Sequence, residues 1–168
     1  MSKLLKASAF IADTFTPVGD EAPLPDGPVL VSLARFEKER DTLLARNTPV
    51  GVQLKSSESP ERLGEEVNRL SLVALEFPAF RDGRAFSWAR MLRTRLCFTG
   101  EIRAVGDFLY DQINYQHRVG FDAWLVPDTF QLEDFARALH EITNVYQPSA
   151  DGRKTIRELR ANRQGLPT

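Results

Sequence analysis

The sequence predicts an α/β fold built on a mostly parallel sheet of about five strands with flanking helices, and three observations carry that reading. Five apolar runs, starting near Val29, Val50, Leu72, Ile102 and Asp122, alternate with amphipathic segments at helical spacing. The run Leu72-Val73-Ala74-Leu75-Glu76-Phe77 is apolar almost throughout, as suits a strand covered on both faces of a parallel sheet. The repeat of roughly 20–30 residues suits right-handed βαβ units. Five units are too few for a closed eight-stranded barrel. An open sandwich is therefore expected, with a half-barrel as the alternative, and strand order is not legible.

Residues 1–28 read as an N-terminal arm. Phe10-Ile11-Ala12 suits a short strand, and Pro17, Gly19, Pro23, Pro25, Gly27 and Pro28 make the rest loop. Such an arm either wraps the domain or joins a sheet edge; a disordered leader is the plain alternative. Residues 29–146 form the α/β domain. Val29–Leu33 suits a buried strand, followed by a helix over Phe36–Arg46 that Asn47-Thr48-Pro49 stops. Val50–Leu54 is the next strand. Ser59 followed by Pro60 suits a helix start, with Leu63, Val67 and Leu70 at helical spacing.

After the strand Ser71–Phe77, the segment Phe86–Leu96 repeats an apolar face against Arg90, Arg93 and Arg95. Glu101–Gly106 is a strand, Asp107 a cap for the following helix, and Gly120 that helix's terminator. Phe121–Val126 is the last strand. Asp128 or Thr129 caps a final helix with Leu132, Phe135, Ala136, Leu139 and Ile142 on one stripe. Residues 147–168 turn polar; Arg153, Lys154, Arg157, Glu158, Arg160 and Arg163 mark a solvated helix or a basic tail.

The 168 residues carry a net charge of -1, which gives no support for a nucleic-acid or membrane surface. No window reaches the ~20 apolar residues of a membrane helix, and residues 1–6 lack the apolar run of a signal peptide, so a cytoplasmic location is expected. The single cysteine, Cys97, excludes an internal disulfide and reads as a small buried hydrophobe. His117 and His140 fall in predicted helices with no Cys at ligand spacing, so no metal site is expected. No GxGxxG and no Walker loop is present, and no cofactor is evident. Tyr110 and Tyr115 read as packing residues.

In a parallel sheet the strand-to-helix loops gather beyond the carboxyl ends of the strands, where helix N-termini also point. Two such loops hold the candidate ligand-binding residues. The first carries Arg81, Asp82, Arg84 and Ser87: Arg84 as a planar fork for an anion, Ser87 as a hydroxyl, Asp82-Gly83 as a tight turn. Its structural alternative is that Asp82 caps the helix while Phe80 and Phe86 pack beneath it. The second carries Arg103, Asp107, Asp111 and Gln112. Arg103 lies inside an apolar strand and needs a partner, for which Glu76, Asp107 and Asp122 are candidates. A structural ion pair is the alternative there. A third carboxyl end, at Pro127-Asp128, offers a cap and little else.

Two of these stretches resemble known signatures. Residues 75–87, Leu75-Glu76-Phe77-Pro78-Ala79-Phe80-Arg81-Asp82-Gly83-Arg84-Ala85-Phe86-Ser87, are similar to a DFPxFxDGRxxS pattern, with Glu76 as a conservative replacement for the pattern's aspartate and Phe86 where tyrosine is common. Residues 100–112, Gly100 to Gln112, are similar to GELRAVGDVLRDQ, and Val119-Gly120-Phe121-Asp122-Ala123 resembles a third. Over about residues 28–148 the chain thus resembles the domain of unknown function 934 family, small bacterial proteins commonly encoded beside assimilatory sulfite reductase and labelled probable oxidoreductases of sulfite reduction. The resemblance implies sulfate assimilation as the pathway.

Three functions follow as expectations. The favoured one is an accessory protein of sulfite reduction that binds a small anion or the sulfite reductase itself. A second is an oxidoreductase working with a borrowed cofactor. A third is a non-catalytic interaction domain whose basic tail makes the contact.

Overall fold

The computed structural model describes residues 2–164, with side chains to residue 161. Arg163 of the basic tail therefore lies outside the described side chains, as do residues 165–168 altogether. One sheet of eight strands organises the chain: β1 (Ser2–Lys6), β2 (Ala9–Ile11), β3 (Thr16–Pro17), β4 (Val29–Ser32), β5 (Val50–Leu54), β6 (Leu72–Phe77), β7 (Glu101–Gly106) and β8 (Ala123–Pro127). Their order is β2-β1-β8-β7-β6-β5-β4-β3. The five predicted strands are β4 to β8, and they pair in parallel with one another. The arm supplies the other three: β3 runs parallel to β4, and β1 and β2 add an antiparallel hairpin beside β8.

This order decides between the two expected architectures. Each crossover from β4 to β8 steps one strand in the same direction. Right-handed crossovers that never reverse leave every helix on one face. A helix layer on both faces needs a reversal of strand order. The sandwich expectation therefore gives way to the half-barrel, with helices on the convex side only.

The arm shows how far the sheet curls. β2 and β3 are seven strand spacings apart, which is about 34 Å across a flat sheet. Five Cα steps join Ile11 to Thr16 and reach at most ~19 Å. The two edges must therefore approach each other, and residues 12–15 strap across the concave side. Under the strap lies a small second core of Leu30, Leu72, Ala74 and Val105, with Phe15 and Leu125 against it. The main core fills the convex side, where alternate strand residues such as Val52, Val73, Leu75 and Ile102 meet Phe36, Leu43, Ala89, Leu92 and Phe135 from the helices.

The helices are α1 (Leu33–Lys38), α2 (Arg40–Leu44), α3 (Arg84–Thr94), α4 (Ile113–Val119), α5 (Leu132–His140) and α6 (Ile156–Gln164). The predicted helix over 36–46 starts earlier, where the Ser32 hydroxyl accepts from the Arg35 N–H, and it breaks at Glu39. The segment after Ser59 forms two 3₁₀ turns rather than an α-helix, because Gly64 between them has φ +77°. The helix predicted after β8, α5, starts at Leu132 without a side-chain cap and ends at His140, so Ile142 falls outside it and is exposed. Gly120 terminates α4 as predicted, with φ +117°.

Arg93, predicted to face water, clamps the amino edge of the sheet instead. Its guanidinium donates to the carbonyls of Phe98, Gly100 and Gly120 and pairs with Asp122. Cys97 is exposed with φ +50°, which corrects its reading as a buried hydrophobe. Among the described residues no helix is long and apolar enough to cross a membrane.

Candidate functional site

The loops after β5, β6 and β7 are neighbours at the carboxyl edge because those strands are parallel neighbours in the sheet. An aromatic cluster underlies them. Phe77, fully buried at the end of β6, meets Phe86 at 5.2 Å and Phe108 and Phe121 at 5.9 Å between ring centres. Burying that ring contributes roughly 2–3 kcal/mol. Tyr115, half exposed, closes on Phe86 at 5.2 Å, so it packs on one face only.

Polar contacts then lace the loops together. The Asp107 N–H donates to the Phe77 carbonyl at 2.7 Å. Gly106 beside it has φ +98°, and a Cβ there would lie 2.3 Å from that carbonyl oxygen, so only glycine fits. The Asp107 carboxylate, predicted to cap the following helix, instead accepts from the Phe80 N–H at 3.3 Å. Gln112 donates to the Phe80 carbonyl at 2.7 Å and accepts from the Leu109 N–H at 3.0 Å. Both backbone groups of Phe80 are thus held by the second signature loop, and its ring is left 48% exposed.

Arg84 joins the first loop to the one before it. Its Nε and Nη2 donate to the two Asp82 oxygens at 3.0 and 2.6 Å, and Nη2 also donates to the buried Ser56 hydroxyl at 2.9 Å. Trp88 Nε1 donates to the Ser56 carbonyl at 2.9 Å. Hydrogen bonding from Arg84 holds the Asp82 carboxyl well below the usual carboxylate range and raises the guanidinium in turn. The Arg84 fork, predicted to grip an anion, is engaged within the chain.

Arg103 stands apart from this rim. It is 2% exposed on the concave face of β7. Its partners are none of the three candidates named from the sequence: Nε donates to Glu101 and Nη1 to Asp13 of the strap, each at 2.8 Å. Lys6 donates to Glu101 as well, and the guanidinium stacks over Phe15 at 5.7 Å. Glu76 sits on the next strand opposite Val105, and Asp122 lies at the amino edge.

Among the predicted site residues, the structure therefore brings together Asp82 with Arg84, and Asp107 with Gln112 through Phe80. Arg81, Ser87 and Asp111 are exposed at the same edge without an ionic or hydrogen-bonded partner among the described residues. The sequence reading missed Ser56 and Trp88. Ser56 sits in a plain Ser-Ser-Glu-Ser stretch that carries no pattern, and Trp88 reads as one more apolar helix position. No group of three or more His, Cys, Asp or Glu side chains placed to hold a metal ion occurs among the described residues.

Comparison with known proteins adds one match. Searches against curated proteins and against solved structures find none. The model of a bacterial protein family of unknown function, DUF934, matches residues 51–157, which include β5 from its second residue, all of β6 to β8 and all three laced loops. The chain belongs to the DUF934 family of bacterial proteins of unknown function.

Proposed function

We propose that this protein is an accessory factor of assimilatory sulfite reduction, and that its laced carboxyl rim docks the sulfite reductase. The pathway comes from the resemblance of residues 75–87 and 100–112 to the family's signatures. What supports placing function at the rim is that those two stretches build it. One observation carries the docking reading: of the two arginines at the rim, Arg84 is neutralised by Asp82, and Arg81 is exposed without a partner among the described residues. The same rim presents Phe80, Leu109 and Tyr115, each more than 40% exposed. An exposed arginine on a rim that also presents exposed aromatic side chains is the composition of a protein-binding hot spot. Internal neutralisation leaves little for an enclosed anion pocket, so a small anion is read as a ligand of Arg81 alone.

The test pairs two assays on the full chain. Sedimentation with sulfite reductase measures docking, and thermal shift with sulfite and sulfate measures anion binding. Docking is expected to weaken at least tenfold in Arg81→Ala and in Phe80→Ala, with melting temperature unchanged because both side chains are exposed. No association with the reductase, together with no stabilisation by either anion, removes the proposal.

A further inference from the structure

We infer that a second site, at the carboxyl ends of β4 and β5, binds a free α-amino acid with an apolar side chain. A pocket of about 420 Å³ opens there, walled by arm residues 17–20 on one side and by Ser32, Gln53, Lys55 and Glu58 on the other. That volume lies within the range of small-molecule sites, roughly 300–1,000 Å³. The site does not depend on the reading of the rim.

The walls are fixed before any ligand arrives. The Val18 N–H donates to the Leu30 carbonyl at 2.9 Å. The Ser32 hydroxyl donates to Asp20 at 2.6 Å, and the buried Arg35 guanidinium donates to the Gly19 carbonyl. Such preorganisation lowers the ordering cost of binding.

The polar groups are complementary to a zwitterion. The Lys55 ammonium and the Gln53 amide have no partner among the described residues. Asp20 uses Oδ1 for Ser32 and keeps Oδ2; Glu58 uses Oε2 for the Lys55 N–H and keeps Oε1. One ammonium and two carboxylates leave the lining negative overall, which disfavours a bare anion. A ligand carboxylate suits Lys55 and Gln53, and a ligand ammonium suits the free oxygens of Asp20 and Glu58. Pro17, Val18, Leu30 and Ala34 offer an apolar wall for the rest of the molecule.

The experiment is thermal shift followed by calorimetry on the full chain with the twenty common L-amino acids. Isobutyrate and isobutylamine serve as ligands carrying one charge each. At least one apolar amino acid is expected to raise the melting temperature by roughly 5–10 °C at a hundredfold excess over its Kd. The single-charge ligands are expected to do nothing at the same concentration. Lys55→Met and Asp20→Asn should each weaken binding at least tenfold without changing the melting temperature of the free protein. Lys55 has an exposed, unpaired side chain, and asparagine keeps an acceptor for Ser32. The inference is overturned if no amino acid stabilises the protein, if binding survives both substitutions, or if isobutyrate binds as well as the amino acid does.

Discussion

Replacing Arg103 by methionine tests whether this residue holds the fold or serves a ligand. The guanidinium is 2% exposed and makes two charge-assisted hydrogen bonds, to Glu101 and Asp13. Each such bond contributes roughly 1.5–3 kcal/mol when its partners are buried. Two features reduce the total. Asp13 is 31% exposed and can rehydrate, and Glu101 keeps Lys6 as a counter-ion. Methionine also retains much of the buried stem. A net loss of about 3 kcal/mol follows, at the low end of the roughly 3–6 kcal/mol that the two bonds would sum to. For a chain of this size that lowers the melting temperature by roughly 6–12 °C. Asp13→Asn should cost only about 1 kcal/mol, and the double variant should cost less than the two singles together. Chemical denaturation of the four proteins measures all of this. If Arg103→Met changes stability by less than about 0.5 kcal/mol, the strap is not anchored through this ion pair. If it leaves stability intact and abolishes anion binding, Arg103 belongs to the ligand site, as first expected from the sequence.

Three further outcomes follow. Gly106→Ala puts a Cβ 2.3 Å from the Phe77 carbonyl at φ +98° and should cost about 2–4 kcal/mol; an unchanged denaturation midpoint would falsify the reading of a glycine-only contact. Asp82 is held below the usual carboxylate range by Arg84, so its contribution is present above about pH 4 and is lost as pH falls toward its folded value. Asp82→Asn should therefore flatten the acid limb of melting temperature against pH, and an unaltered acid limb counts against the pair. The Tyr110 hydroxyl is buried without a partner, and burial pushes its phenol up. Tyr110→Phe is accordingly expected to melt at the same temperature or higher, and the decline of stability at high pH should diminish; a lower melting temperature points to a hydroxyl contact.

The legible part of the fold is the part that local chemistry writes. Leu72–Phe77 reads as a strand covered on both faces, and it is one: Val73, Leu75 and Phe77 lie in the main core, Leu72 and Ala74 in the small core under the strap. Gly120 reads as a helix stop because a left-handed residue is needed there. Less legible are boundaries that depend on a single dihedral, such as the break at Glu39 and the two 3₁₀ turns around Gly64. At the site, both signature loops were legible as carboxyl-edge loops, yet the partners of Arg84 and Arg103 were not. Ser56 is 28 residues from Arg84, and Asp13 is 90 from Arg103, distances at which no periodicity links two positions.

Two matters were therefore settled by the order of residues alone. The alternation of apolar runs with amphipathic segments specifies parallel βαβ units, because a buried strand and a one-sided helix have different periods. The spacing of glycine and aspartate marks where the chain must turn. Tertiary structure decided the rest. Whether successive strands add in one direction or reverse depends on packing between whole elements, and here one direction leaves a concave face for the arm to cover. That arm, a stretch of prolines and polar residues with little pattern, supplies both sheet edges, one of the two counter-ions of Arg103 and a wall of the pocket beside Lys55. Its conformation is dictated by the surface it crosses, so its own residues could not announce it.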